Sequence, residues 1–104
     1  MAAQKKKPAV SAPIGIHELQ LALLREEIAA KDWDLRTAAR ELDVIKRVLK
    51  KVDWPKDYLP LVEVAASTAK HLAKVVDNKD TTRLTAAHTE LEDSIFALRD
   101  KLYR

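Results

Sequence analysis

Four stretches of this chain repeat their apolar residues at steps of three and four, and three short breaks separate them. That spacing gathers side chains on one face of a helix, and it recurs too often here to be accidental. The clearest stretch is "LRTAARELDVIKRVLKKV", in which Leu35, Ala38, Leu42, Ile45, Leu49 and Val52 make a bundle seam. Before it, Ile16, Leu19 and Leu23 share a face, with Leu21, Leu24 and Ile28 beside them, so the first stripe is wide. Later stripes are Leu61, Ala65, Ala69, Leu72 and Val76, then Leu84, His88, Leu91, Ile95, Leu98 and Leu102. No segment alternates with period two, so no strand is predicted. The pattern predicts an all-α, antiparallel up-down-up-down four-helix bundle with helices at about residues 16–30, 35–52, 56–76 and 81–103.

The breaks carry matching signals. In "KDWD", Asp34 is placed to cap the second helix. In "DWPKDYLP", Asp53 is placed to cap the third with Pro55 in its first turn, and Pro60 tolerates only an early helical position. In "DNKD", Asp80 is placed to cap the fourth. A single Gly excludes a glycine-rich phosphate loop, and the lack of Cys excludes disulfides, thiolate metal sites and thioether-linked haem. No apolar run is long enough to span a membrane.

Charge divides the chain in two. Three of its 19 basic residues, Lys5, Lys6 and Lys7, precede Pro13, which leaves 16 against 16 acidic residues in the remainder. A neutral body argues against nucleic acid as a partner. Residues 1–13 read as a disordered basic tail and residues 14–104 as the bundle, because Pro8 and Pro13 break helix and little there can be buried. The leader has a basic start without an apolar central segment, so it does not read as a signal peptide.

The stretches "KDWDLRTAARELDVIKRVLKK", "WPKDYLPLVEVAASTAKHLAKVV", "NKDTTRLTAAHTELEDS" and "DKLYR" carry a likeness. Over residues 16–104 the chain resembles the cytochrome c-prime family, in its shorter bacterial members. The resemblance implies a four-helix bundle and a periplasmic setting. It also implies a last helix with Ser-Cys-x-x-Cys-His, two thioether cysteines and a proximal His. Matching Ser94 to the family Ser puts Ile95 and Leu98 at the Cys positions and Arg99 at the His position. Matching the terminal Tyr-Arg instead puts Phe96, Arg99 and Asp100 there. Either register departs from the family, since Ile and Leu form no thioethers and a guanidinium that stays protonated cannot ligate iron. In the first register, Ile95 and Leu98 point inward and fill space that a cofactor would occupy.

Candidate chemistry elsewhere is thin. His17 sits at the end of the first helix where an axial ligand would stand if haem bound without covalent links. His88 lies on the fourth stripe, and His71 is placed to face it; two His are too few for a metal, so no metal site is expected. Glu26-Glu27 and Glu90-Glu92-Asp93 read as solvated faces or partners for Lys and Arg one turn away. Nothing places a base around Ser94, and Trp33 and Trp54 read as plugs at the bundle ends. No catalytic residues are expected. The favoured reading is a monomeric, haem-free scaffold or interaction module without enzymatic activity. Two alternatives stand: a non-covalent haem or electron-transfer bundle using His17, and a phosphotransfer bundle with His71 or His88 as acceptor.

Overall fold

A computed structural model describes residues 10–103. It contains α1 (Ala12–Lys31), α2 (Leu35–Lys51), α3 (Leu59–Asp77) and α4 (Thr81–Leu102), with a 3-10 turn, Lys56–Tyr58, leading into α3. Among the described residues there is no strand; Val10 and Val52 form one isolated bridge. Each helix packs on its neighbours in sequence, and α1 also packs on α4 across the least extensive of the four interfaces. The seams predicted from spacing converge in the centre. Ile16, Leu19, Leu42, Ile45, Leu72, Leu91, Ile95 and Leu98 are all essentially without solvent contact. Each such side chain contributes about 1.5–3 kcal/mol by leaving water. On α3 the inward positions Ala65 and Ala69 are small and fully buried, which lets α4 approach closely.

The helix ends meet in two groups. At one end, the Asp53 N–H donates to the Val10 carbonyl (2.9 Å), Gly15 abuts Val52, and Lys101 of α4 reaches Asp57 (3.2 Å). At the other, Trp33, Leu35, Val75, Val76, Thr81 and Leu84 line one crevice, so the end of α1, the start of α2, the end of α3 and the start of α4 come together.

Two helix ends share one local device. Trp33 has φ 60° and Lys79 φ 53°, both left-handed. Around Trp33, the Asp34 N–H donates to Ala29 O (2.8 Å) and the Trp33 N–H to Ala30 O (3.1 Å). Around Lys79, the Asp80 N–H donates to Val75 O and the Lys79 N–H to Val76 O, both at 3.0 Å. These are Schellman closures in which a residue with a Cβ holds the position usually given to Gly. Each is followed at once by the cap of the next helix. Asp34 accepts from the Thr37 N–H (3.1 Å), and the Thr37 hydrogen bonds hold its carboxyl below the usual range. Asp80 stands at the N-cap of α4, but its carboxylate accepts the Thr82 hydroxyl (2.7 Å) instead of a backbone N–H.

Three expectations are corrected. The tail was expected to run through Pro13 and the first helix to begin near Ile16, yet α1 begins at Ala12 with Pro13 in its first turn. A proline there forfeits an N–H that has no helical partner anyway. Residues 1–9, with Lys5, Lys6 and Lys7, lie outside the described residues. Asp53 does not cap α3: Pro55 precedes the 3-10 turn, and α3 starts afterwards at Leu59 with Pro60 in its first turn. The third correction is the widest. Leu21 (40%), Leu24 (53%) and Ile28 (53%) are solvent-exposed, and Ile14 (59%) joins them. The broad stripe of α1 is therefore two stripes, one buried and one facing outward. Among the described residues no helix is long and apolar enough to cross a membrane.

Candidate functional site: a buried carboxylate–histidine pair

The inner stripe of α1 runs Leu19, Ala22, Leu23, Glu26 and Ala29, so one of its places falls to a carboxylate. Glu26 has no solvent exposure. The stripe of α4 runs Leu84, His88, Leu91 and Ile95, so one of its places falls to an imidazole. Where α1 and α4 pack, these two polar residues meet. His88 Nδ1–H donates to Glu26 Oε1 at 2.6 Å, short enough for a charge-assisted bond. The His88 side chain is only 14% exposed. Its pKa is raised, first by the hydrogen bond it donates to Glu26, against the opposing effect of burial; the charges of Glu26, Glu27 and Glu92 act in the same upward direction.

The pair is incompletely satisfied. Glu26 Oε2 and His88 Nε2 are buried without a hydrogen-bond partner. The Nε2 atom is 3.8 Å from Glu27 Oε1, beyond hydrogen-bond reach. Glu27, His88 and Glu92 bring one ligand atom each to within 4.8 Å of one another. Beside them opens a cleft of about 270 Å³, lined by Lys31, Trp33, Leu84 and Thr85 among others. Lys31 reaches Glu27 Oε2 at 3.5 Å from an exposed position.

The sequence-predicted positions are distributed differently. His17 is exposed on α1. His71 is also exposed, and lines an open cleft of about 670 Å³ between α3 and α4 with Glu90, Asp93 and Ser94. It does not face His88, which looks toward α1. Ser94 is buried; its hydroxyl donates to Leu91 O (2.8 Å) and lies 2.9 Å from the Thr68 hydroxyl. Ile95 and Leu98 are fully buried, Phe96 is half-buried, and the Arg99 guanidinium sits 4.5 Å over the Phe96 ring. Trp54 serves as an end plug: its indole N–H donates to Leu49 O (2.9 Å) and its ring stacks on Tyr58. Trp33 does not, being 62% exposed.

Glu26 corrects the reading of Glu26-Glu27 as a solvated face. One signal was available: Glu26 follows Leu19 and Leu23 at the stripe spacing, so a carboxylate stood on a core position. Its partner could be found only by knowing that α1 and α4 pack side by side. Compared with protein families, curated proteins and solved structures, the chain matches none.

Proposed function

We propose that the chain is a haem-free interaction module: an antiparallel up-down-up-down bundle of cytochrome c-prime-like design that pairs with a second copy of itself through the outer face of α1. The two groups of helix ends support the alternating direction. Ile95 and Leu98, at the positions where the family would carry cysteines, are fully buried, which supports side chains in place of a cofactor. His17, the candidate axial ligand, is exposed and has no described partner that would aim it inward.

The observation that carries the reading is the outward stripe. Ile14, Leu21, Leu24 and Ile28 follow steps of seven, three and four, the spacing of a helix–helix seam. They span about 21 Å of helix. A two-fold axis near Leu21 would place Ile14 of one copy opposite Ile28 of the other, and would bring Glu18 beside Arg25. The apolar stripe is thus symmetric about that axis, as an isologous dimer requires, while Glu18 at its edge is also reached by Lys51 of its own chain at 3.6 Å. A dimer departs from the monomer expected from the pattern, in which Leu21, Leu24 and Ile28 stood beside the inward face of the first helix.

Sedimentation of the full chain tests it. The wild type should sediment as a dimer at about 100 µM, and Leu24→Glu as a monomer with unchanged helix content, since Leu24 is half outside the fold already. A wild type that stays monomeric at that concentration refutes the pairing. Titration with haem tests the other half: no Soret band should develop, and one abolished by His17→Ala would restore the haem-binding alternative.

A further inference from the structure

The unsatisfied pair between α1 and α4 has the parts of a metal centre. We propose that Glu27, His88 and Glu92 bind a divalent transition-metal ion of the zinc type, with Glu26 as the residue that orients His88.

Geometry comes first. His88 and Glu92 are one turn apart on α4, so their side chains share a face. Glu27 approaches from α1. The three ligand atoms lie within 4.8 Å of one another. Ligands around a tetrahedral ion with bonds of about 2.1 Å stand roughly 3.4 Å apart, so side-chain adjustments on the order of 1 Å would close the site. Glu27 and Glu92 are both partly exposed and free to make them.

The orientation of the imidazole is the second, independent observation. A metal-bound His commonly donates its other ring N–H to a carboxylate, which fixes its tautomer. Glu26 accepts that bond here at 2.6 Å and is wholly buried while doing so. The opposite nitrogen, Nε2, is left buried, without a hydrogen-bond partner, on the Glu27 side. An ion would take that position on Nε2 while Nδ1 keeps its proton for Glu26.

Charge points the same way. Three carboxylates converge on one imidazole, and the nearby Lys31 ammonium is exposed and already reaches Glu27. A dication would balance them. The mixed donor set selects among dications, because imidazole suits zinc and its neighbours, whereas calcium and magnesium favour all-oxygen shells. Two carboxylates and one His leave at least one position open toward the cleft that Trp33 and Thr85 border. The ion would also tie α1 to α4, whose shared interface is the least extensive of the four.

The test is Zn²⁺ titration of the chelator-stripped full chain by calorimetry at neutral pH. One ion per chain should bind, with a dissociation constant in the micromolar range or below. Glu92→Gln, a change at a partly exposed position that leaves the fold intact, should weaken binding at least tenfold. Glu26→Gln touches no metal but should weaken it about 10–100-fold, the usual effect of losing an orienting partner. Ni²⁺ in place of Zn²⁺ should quench Trp33, and Trp33→Phe should remove that signal without changing the calorimetric affinity. His71→Ala should leave binding unchanged. Absence of binding at millimolar Zn²⁺ overturns the proposal, as does binding that survives Glu92→Gln or that disappears with His71→Ala.

Discussion

The two ends of the bundle are built on opposite principles. At the end holding Gly15, Val52, Tyr58 and Leu98, apolar surfaces close directly on each other. Gly15 lets α1 lie against Val52, Trp54 stacks on Tyr58, and the Lys101 ammonium covers the Tyr58 ring at 5.5 Å. At the end holding Glu26, Trp33 and His88, α1 and α4 enclose a carboxylate and an imidazole, each with one unpartnered polar atom. A large aromatic stands in solvent there, and a cleft opens beside it. The single stripe of α4 runs through both ends. One seam can therefore seal a fold in its last three turns and hold titratable groups in its first two. Buried polar groups are costly unless fully satisfied, so the open end carries a stability cost that the sealed end avoids.

The largest expected effect lies at the open end. His88→Ala leaves Glu26 buried and without its partner, and should cost about 3–5 kcal/mol. Replacing both by Leu should be neutral or stabilising by about 1–4 kcal/mol, because a well-packed apolar pair avoids the desolvation altogether. Urea denaturation of metal-free protein measures both. If the double variant were as unstable as the single one, the open end would be sealed by the same packing as the other, and the contrast would fail.

At the sealed end Leu98→Ala should cost about 2–5 kcal/mol, as for other fully buried leucines. Arg99→Ala beside it should stay within about 0.5 kcal/mol, since its partners Phe96 and Asp100 are only partly covered. Denaturation of Ile95→Ala and Phe96→Ala sharpens the register: a greater loss at 95 than at 96 favours alignment on Ser94. Gly15→Ala belongs to the same end and should cost about 1–3 kcal/mol, because the new methyl meets the buried Val52 side chain. A thermal melt unchanged by that substitution would mean that α1 is not held against Val52.

Most of the fold was legible because it rests on local period: the α2 seam and the α4 stripe were readable residue by residue. What escaped depends on long-range assembly. Leu21, Leu24 and Ile28 are indistinguishable from core by spacing, and only the positions of α2 and α4 decide which apolar stripe turns outward. Glu26 and His88 are 62 residues apart, so neither announces the other. The left-handed turns escaped for a different reason. Their usual mark is Gly, and Trp33 and Lys79 hide it.

A pH profile separates the ends more gently. In metal-free protein the folded-state pKa of His88 is raised above its ordinary value of 6.5, with Glu26, Glu27 and Glu92 facing it from α1 and α4. A raised pKa means the folded state holds the proton more tightly than the unfolded one. The resulting stability is fully present below pH 6.5 and is lost as pH rises through the folded-state value. Denaturation midpoints should therefore fall with rising pH above 6.5 in the wild type, and that decline should vanish in the Glu26→Leu, His88→Leu double variant. A decline of equal size in both would place its origin elsewhere.

The smallest effects concern the two left-handed residues that border the open end. A residue with a Cβ in that region is disfavoured by about 1 kcal/mol relative to Gly. Lys79 is exposed, so Lys79→Gly should stabilise the fold by about 0.5–1 kcal/mol, with some of the gain offset by the freer unfolded chain. Trp33→Gly relieves the same backbone position but also removes a ring that lines the crevice with Leu35 and Leu84. It should stabilise less, and the difference between the two variants measures what the ring contributes. Equal gains would mean that the Trp33 ring contributes nothing to stability. A loss above about 1 kcal/mol for Trp33→Gly would exceed ordinary surface effects. It would show that the ring closes this end after all, and the opposition between a sealed and an open end would have to be withdrawn.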